Sequence, residues 1–134
     1  MIPRFINALL AGRSPIVFGD GEQSRDFTYV DNVVEANMLA MGTARLDGEA
    51  INIACGKRTS LNQLLGFLRD MVGSKALPIH GEPRRGDVRH SLAEICRGKR
   101  ILAYEPKVDV ATGLRKTVEY FKKQKTVRRQ PESN

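Results

Sequence analysis

Two polar clusters hold the side chains best suited to chemistry. The first is Gln23-Ser24-Arg25-Asp26-Phe27, directly after Gly19-Asp20-Gly21. A guanidinium there offers a planar fork of donors that matches phosphate or carboxylate oxygens. A plain surface pair between Arg25 and Asp26 accounts for the same residues. The second cluster, residues 83–91, holds Arg84, Arg85 and Arg89 with Gly86 and Asp87, and ends at Ser91. Such a loop can grip an anionic ligand while Asp87 accepts hydrogen bonds from sugar hydroxyls. A solvated basic loop is the alternative.

Other chemistries lack their residues. His80 and His90 have no partners at metal-ligand spacing, and neither HExxH nor paired CxxC occurs. No GxSxG elbow is present. Gly19-Asp20-Gly21 lacks the third glycine of a dinucleotide fingerprint and leads into a strand rather than a helix. Cys55 and Cys96 have no neighbouring base and read as core thiols. Arg85-Gly86-Asp87 matches a cell-adhesion tripeptide, a three-residue coincidence. Two cysteines make no disulfide framework, and no signal peptide is read at the start, so a reduced, cytoplasmic chain is expected.

The 134 residues predict one domain with a real core. No apolar run reaches the ~20 residues of a membrane span. The net charge of +7 could point to nucleic acid, but its placement argues otherwise. The last thirteen residues hold five basic groups and one acid, which leaves +3 for everything before them. Aromatic residues make up 6% and tryptophan is absent, so stacking platforms are scarce. The expectation is no nucleic-acid partner, no membrane, and a solvated tail over 122–134.

The clusters need elements to hold them. Pro3, the apolar face of Phe5, Ile6, Leu9 and Leu10, and the stop at Gly12 predict a first helix. Pro15 to Phe18 reads as a strand, and Arg25 to Val30 as a second. Asp31 is the expected cap of a helix whose face is Val30, Val34, Met38 and Met41. Ala50 to Ala54 reads as a strand. Ser60-Leu61-Asn62-Gln63 is a capping box, opening a helix striped by Leu61, Leu64, Leu65, Leu68, Met71 and Val72 and ended by Gly73. Leu77 to His80 is a candidate strand. Ser91-Leu92-Ala93-Glu94 is a second capping box, and Asp109 caps a last helix with Val110, Leu114, Val118 and Phe121 inward. Mixed helices and strands predict an α/β or α+β fold. Amphipathic helices of this kind suit burial against further protein, and Leu61, Leu65 and Leu68 are expected to be exposed in the chain alone.

Several motifs, in order, resemble the NAD-dependent epimerase/dehydratase family of extended short-chain dehydrogenases. They are IPRFINALLAGRSPIVFGDG from residue 2, GDGEQSRDFTYVDNVVEAN over 19–37, EAINIACGKRTSLNQL over 49–64, PRRGDVRHSLAEI over 83–95, and Leu102-Ala103-Tyr104-Glu105-Pro106. The resemblance covers residues 1–121 and is strongest to UDP-hexose 4-epimerases. It implies an α/β fold: the C-terminal, substrate-binding part of a Rossmann-type enzyme, a small sheet with amphipathic helices. The family's NAD-binding half has no counterpart here. There is no GxxGxxG, and Val33, Val108 and Gln124 stand four residues after the three tyrosines, where TyrxxxLys needs lysine. A truncated product, an expressed fragment or a misplaced start is expected, with residues 122–134 as a separate tail.

The resemblance assigns a UDP-sugar site residue by residue. Ile16, Val17 and Phe18 line the uracil and meet its edge through backbone groups. Arg25 and Arg84 bind the diphosphate, and Asp87 holds ribose hydroxyls. The end of the first helix, Met1 and Ile2, approaches the diphosphate. Ser91 lines the sugar pocket, where a small residue leaves room for an N-acetyl group; capping the next helix is its other reading. No catalytic residue, metal ligand or cofactor contact is carried over. NAD belongs to the parent enzyme, where it oxidises C4 of a sugar that turns over in the pocket, and none is expected for this chain alone. The expected function is the UDP-sugar-binding portion of an NAD-dependent nucleotide-sugar 4-epimerase, inactive alone. The alternatives are part of a UDP-glucuronate decarboxylase or nucleotide-sugar dehydratase, or a non-catalytic module for a nucleotide sugar or protein. Expected partners are a UDP-sugar and either the absent NAD-binding half or a second copy.

Overall fold

Pro3 presets the first turn of α1 (Ile2–Leu10), and Phe5, Ile6 and Leu9 recur at helical spacing, so one face is apolar and buried. In the computed structural model, residues 1–44 and 46–127 are described. They divide into two units, each assembled from separate stretches of sequence.

Unit 1 takes Met1–Glu22, Ser60–Asp87 and the chain from Leu114 onward. The buried face of α1 meets α3 (Leu61–Val72), whose Leu61, Leu64, Leu65 and Leu68 are all buried. The capping box forms as read. Ser60 Oγ accepts from the Gln63 amide at 3.2 Å, and Gln63 Oε1 accepts from the Ser60 amide at 3.0 Å. Gly73, at φ +73°, ends the helix in the left-handed conformation. The expected exposure of Leu61, Leu65 and Leu68 is therefore wrong: α1 covers that stripe within the unit.

β1 (Ile16–Phe18) lies parallel to β4 (Ile79–Gly81), pairing Ile16 with Ile79, Val17 with His80 and Phe18 with Gly81. Alternation buries Val17 and turns Ile16 and Phe18 outward. The glycine turn after β1 is held by α3. Asn62 Nδ2 donates to the Asp20 carbonyl at 3.0 Å and to Glu22 Oε1 at 2.6 Å, and the Asn62 amide donates to the Gly21 carbonyl. A Cβ on Gly21 would lie 2.0 Å from Asn62 Oδ1, so only glycine fits.

Unit 2 takes Gln23–Thr59 and Val88–Gly113. β2 is only Ser24–Arg25, paired with β3 (Thr59–Ser60), not the longer strand expected to Val30. Asp26 explains the stop. Its carboxylate accepts from the amides of Cys55 at 3.0 Å and Gly56 at 2.9 Å, so the chain turns away from a ladder. α2 (Val30–Gly42) has Tyr29 rather than Asp31 as its N-cap. Its buried residues are Asn32 and Ala36, and the expected inward face, Val30, Val34, Met38 and Met41, is exposed. The helix is apolar on both sides, so periodicity could not choose between them.

Ala36, Leu102 and Tyr104 form the centre of this unit, with Leu39, Ala40, Ile51, Ile53 and Ile101 packed around them. Tyr104 is fully buried and donates its hydroxyl to the Ala54 carbonyl at 3.0 Å. The strand expected over Ala50 to Ala54 is absent. Its side chains still alternate, but no backbone hydrogen bond joins Ile51, Asn52 or Ile53 to another described residue. α4 (Cys96–Leu102) starts with Ile95 as N-cap, four residues later than the second capping box predicts.

α5 (Val110–Val127) is capped as read, Asp109 Oδ1 accepting from the Thr112 amide at 2.7 Å. It continues six residues into the segment expected as a tail. Lys122 Nζ donates to the Met71 carbonyl at 3.1 Å and Lys125 Nζ to the Leu10 carbonyl at 2.6 Å. Both lysines thus satisfy the open carbonyl ends of α3 and α1, where a cation is favoured. Residues 128–134 of the expected tail lie outside the described residues.

Candidate functional site

In unit 1, β1 and the turn after β4 bring five of the seven expected residues together. The Asp87 amide donates to the Arg84 carbonyl at 3.3 Å, closing a four-residue turn with Gly86 at φ +77°. Arg84 and Asp87 therefore sit at the two ends of one tight turn. The Arg84 guanidinium lies 4.1 Å from the centre of the Phe18 ring. This cation–π contact is worth ~0.5–1 kcal/mol at an exposed site. Among the described residues no carboxylate pairs with Arg84. Stacking takes the face of the guanidinium, while its N–H donors lie around the edge, in the guanidinium plane. Beside it, Ile16 and Phe18 offer an exposed apolar surface, and Val17 is buried, so only its backbone can reach a ligand. The set combines a flat apolar strip, a forked cation and a carboxylate.

Unit 2 holds Arg25 and Ser91 around Ser24. Ser24 bridges His90, its amide donating to the Arg89 carbonyl at 2.9 Å and its carbonyl accepting from the Ser91 amide at 3.0 Å. Arg25 Nη1 donates to the Ser24 carbonyl at 2.8 Å and to the Arg89 carbonyl at 3.3 Å. Asp26 is committed to the Cys55 and Gly56 amides, which gives it a loop-pinning role. Ser91 caps no helix, because α4 begins at Cys96, so its exposed hydroxyl is not used as a cap.

Sequence reasoning missed two polar groups here. Ser24 Oγ and His90 Nδ1 are 2.9 Å apart. Asn32, buried in α2, accepts from the Lys107 and Val108 amides at 3.0 and 2.9 Å and donates to the Val108 carbonyl at 2.8 Å. A polar residue on the apolar face of a helix was the available signal for Asn32.

Cys55 is buried but Cys96 is exposed, which corrects the reading of both as core thiols. Burial, then the Asp26 charge, pushes the Cys55 thiol up. Hydrogen bonding to Glu94 pushes Cys96 up, while the same bond holds Glu94 below its ordinary value. Both thiols therefore stay protonated and are poor nucleophiles. Burial also raises Tyr104 above the ordinary phenol value. No three metal-ligating side chains gather among the described residues, and no described helix is long and apolar enough to cross a membrane. A groove of about 470 Å³ at the C-terminal ends of α1 and α3 contains none of the expected site residues. NAD does not fit the glycine turn, since Gly19-Asp20-Gly21 is followed by β2 and the space beside Gly21 is filled by Asn62.

Within this α/β fold an arginine and a carboxylate stand beside an apolar strip. Residues 1–54 match the model of the NAD dependent epimerase/dehydratase family. A UDP-glucose 4-epimerase of Mycolicibacterium smegmatis is 40% identical over 118 residues, covering 88% of this chain and 37% of the relative. The crystal structure of UDP-glucose 4-epimerase from Thermotoga maritima, with UDP-glucose, is 43% identical with a TM-score of 0.86, over 92% of this chain and 39% of that one. The UDP-N-acetylglucosamine 4-epimerase of Methanobrevibacter ruminantium, in complex with UDP-N-acetylmuramic acid, is 38% identical with a TM-score of 0.85, over 92% and 39%. The chain is related in sequence and fold to the NAD-dependent epimerase/dehydratase family, and it spans about two fifths of the length of these relatives.

Proposed function

We propose that this chain is the UDP-sugar-binding portion of a nucleotide-sugar 4-epimerase and has no epimerase activity by itself. The observation that carries the reading is Arg84, stacked on Phe18 and joined by a single turn to Asp87. A diphosphate takes the donor edge of the guanidinium, a uracil ring suits the strip beside β1, and the Asp87 carboxylate accepts from a ribose diol. For unit 2, the family resemblance supports Arg25 as a diphosphate ligand and Ser91 as a small residue that leaves space for an N-acetyl group. No acid, base or cofactor step is assigned to this chain, whose part is to anchor the nucleotide.

Titrating the chain with UDP in a calorimeter tests this. Each charged hydrogen bond to the diphosphate contributes ~1.5–3 kcal/mol, so Arg84→Ala should weaken UDP roughly ten- to a hundredfold. Arg84→Lys should recover only part, since an ammonium cannot fork. An alanine variant that binds UDP as tightly as the parent, or a parent with no affinity for UDP, overturns the reading.

A further inference from the structure

In unit 2 the chain from Val88 to Ile95 forms no helix or strand before α4. A parallel bridge of His90 to Ser24 ties it to β2. Three bonds converge on Ser24. Its amide donates to the Arg89 carbonyl at 2.9 Å, its carbonyl accepts from the Ser91 amide at 3.0 Å, and its hydroxyl meets His90 Nδ1 at 2.9 Å. A serine hydroxyl both donates and accepts, so it serves either tautomer of the ring. Ser24 is buried, where a hydroxyl needs a partner, while His90 is exposed. Bridged residues share one face of a strand pair, and their neighbours take the other. Arg25 and Ser91 therefore flank the Ser24–His90 bond from the opposite face. Arg25 is bound to the same place by its own side chain. Nη1 donates to the Ser24 carbonyl at 2.8 Å and to the Arg89 carbonyl at 3.3 Å, so the guanidinium is seated on one carbonyl from each side of the bridge.

We infer that Ser24 and His90 are positioning residues for the UDP site: their side-chain bond holds segment 89–91 against β2 and so fixes the Arg25 guanidinium and Ser91. The inference rests on the proposed function for Arg25 as a diphosphate ligand and Ser91 as a wall of the sugar pocket. Ser24 and His90 act through these two residues, not by contact with the ligand. Without the side-chain bond two backbone bonds remain, and so short a bridge frays readily. The Arg89 carbonyl then leaves the guanidinium, which keeps one seat instead of two and samples other rotamers. A forked grip on phosphate needs one orientation of the fork, so the loss is read in affinity.

Calorimetric titration of the full chain with UDP tests this. Ser24→Ala and His90→Ala should each weaken UDP roughly three- to tenfold. Both remove the same bond, so the double variant should bind no more weakly than either single one. His90→Asn returns a polar atom near the place of Nδ1 and should recover most of the affinity. Hydrogen exchange of the Ser91 amide should quicken in the alanine variants and slow again in His90→Asn. His90 is exposed, so His90→Ala leaves the core intact and carries the test even where Ser24→Ala does not fold. Alanine variants that bind UDP as the parent does, whatever their melting temperature, overturn the inference. So do additive losses in the double variant, or an asparagine variant as weak as the alanine one. If Arg84→Ala weakens UDP while the Ser24 and His90 variants do not, this inference alone falls; a parent with no affinity for UDP overturns it together with the proposed function.

Discussion

Asn32 shows what a single residue can hold in place. Its amide group bonds both amides that follow Glu105-Pro106 and a carbonyl of the same loop, from inside a helix. Asn32→Ala leaves two donors and an acceptor unpaired in a buried site, and should lower unfolding free energy by about 2–4 kcal/mol in a urea titration. Asn32→Asp keeps the acceptors but faces a carboxylate with the Val108 carbonyl, so it should fall near the alanine variant. The sequence marks Asn32 only as a polar residue on an apolar helix face and does not name its partners, which lie 75 and 76 positions away. The binding residues are a different case. Arg84 and Asp87 attracted notice through charge and a turn glycine, and the turn between them forms. The stacking of Arg84 on Phe18 was not readable, since the two meet only through the parallel pairing of β1 and β4.

Elements whose signals are local were read well, and those that depend on a neighbour were not. The start and stop of α3 are written in Ser60, Gln63 and Gly73, and all three act as expected. The strand over Ala50 to Ala54 and the full length of β2 needed ladder partners, which periodicity cannot supply. The second capping box failed because Glu94 folds its carboxylate onto the Cys96 amide instead of back to Ser91. α4 also ends on an unusual residue. Ala103 sits at φ +51°, ψ +30°, the described non-glycine residue with positive φ, while the Tyr104 amide reaches back to the Gly98 carbonyl. That conformation costs ~1–2 kcal/mol for a residue with a Cβ. Glycine would remove the cost but add ~0.4–1 kcal/mol of unfolded-state entropy. The first effect is larger, so Ala103→Gly should stabilise the chain by about 0.5–1 kcal/mol. A denaturation midpoint below that of the parent would contradict it.

For the chain as a whole, the proposed function expects no turnover. The 134 residues contain neither GxxGxxG nor TyrxxxLys. Purified chain incubated with UDP-glucose or UDP-N-acetylglucosamine and NAD should therefore release no 4-epimer detectable by chromatography, and conversion of either sugar would refute it. The α/β class was readable because amphipathic helices and apolar strands alternate along the sequence. The division into two units was not, since each is built from pieces far apart in the chain. That interleaving has a consequence for how the protein is made. Unit 1 needs its first twenty-two residues, a middle stretch and the helix that carries Leu114 and Val118. A ribosome delivers those pieces in order, with all of residues 23–59 between the first piece and the second. The apolar face of α1 thus waits for α3, which begins only at Leu61, and over that interval holding chaperones are the natural guardians of the nascent chain.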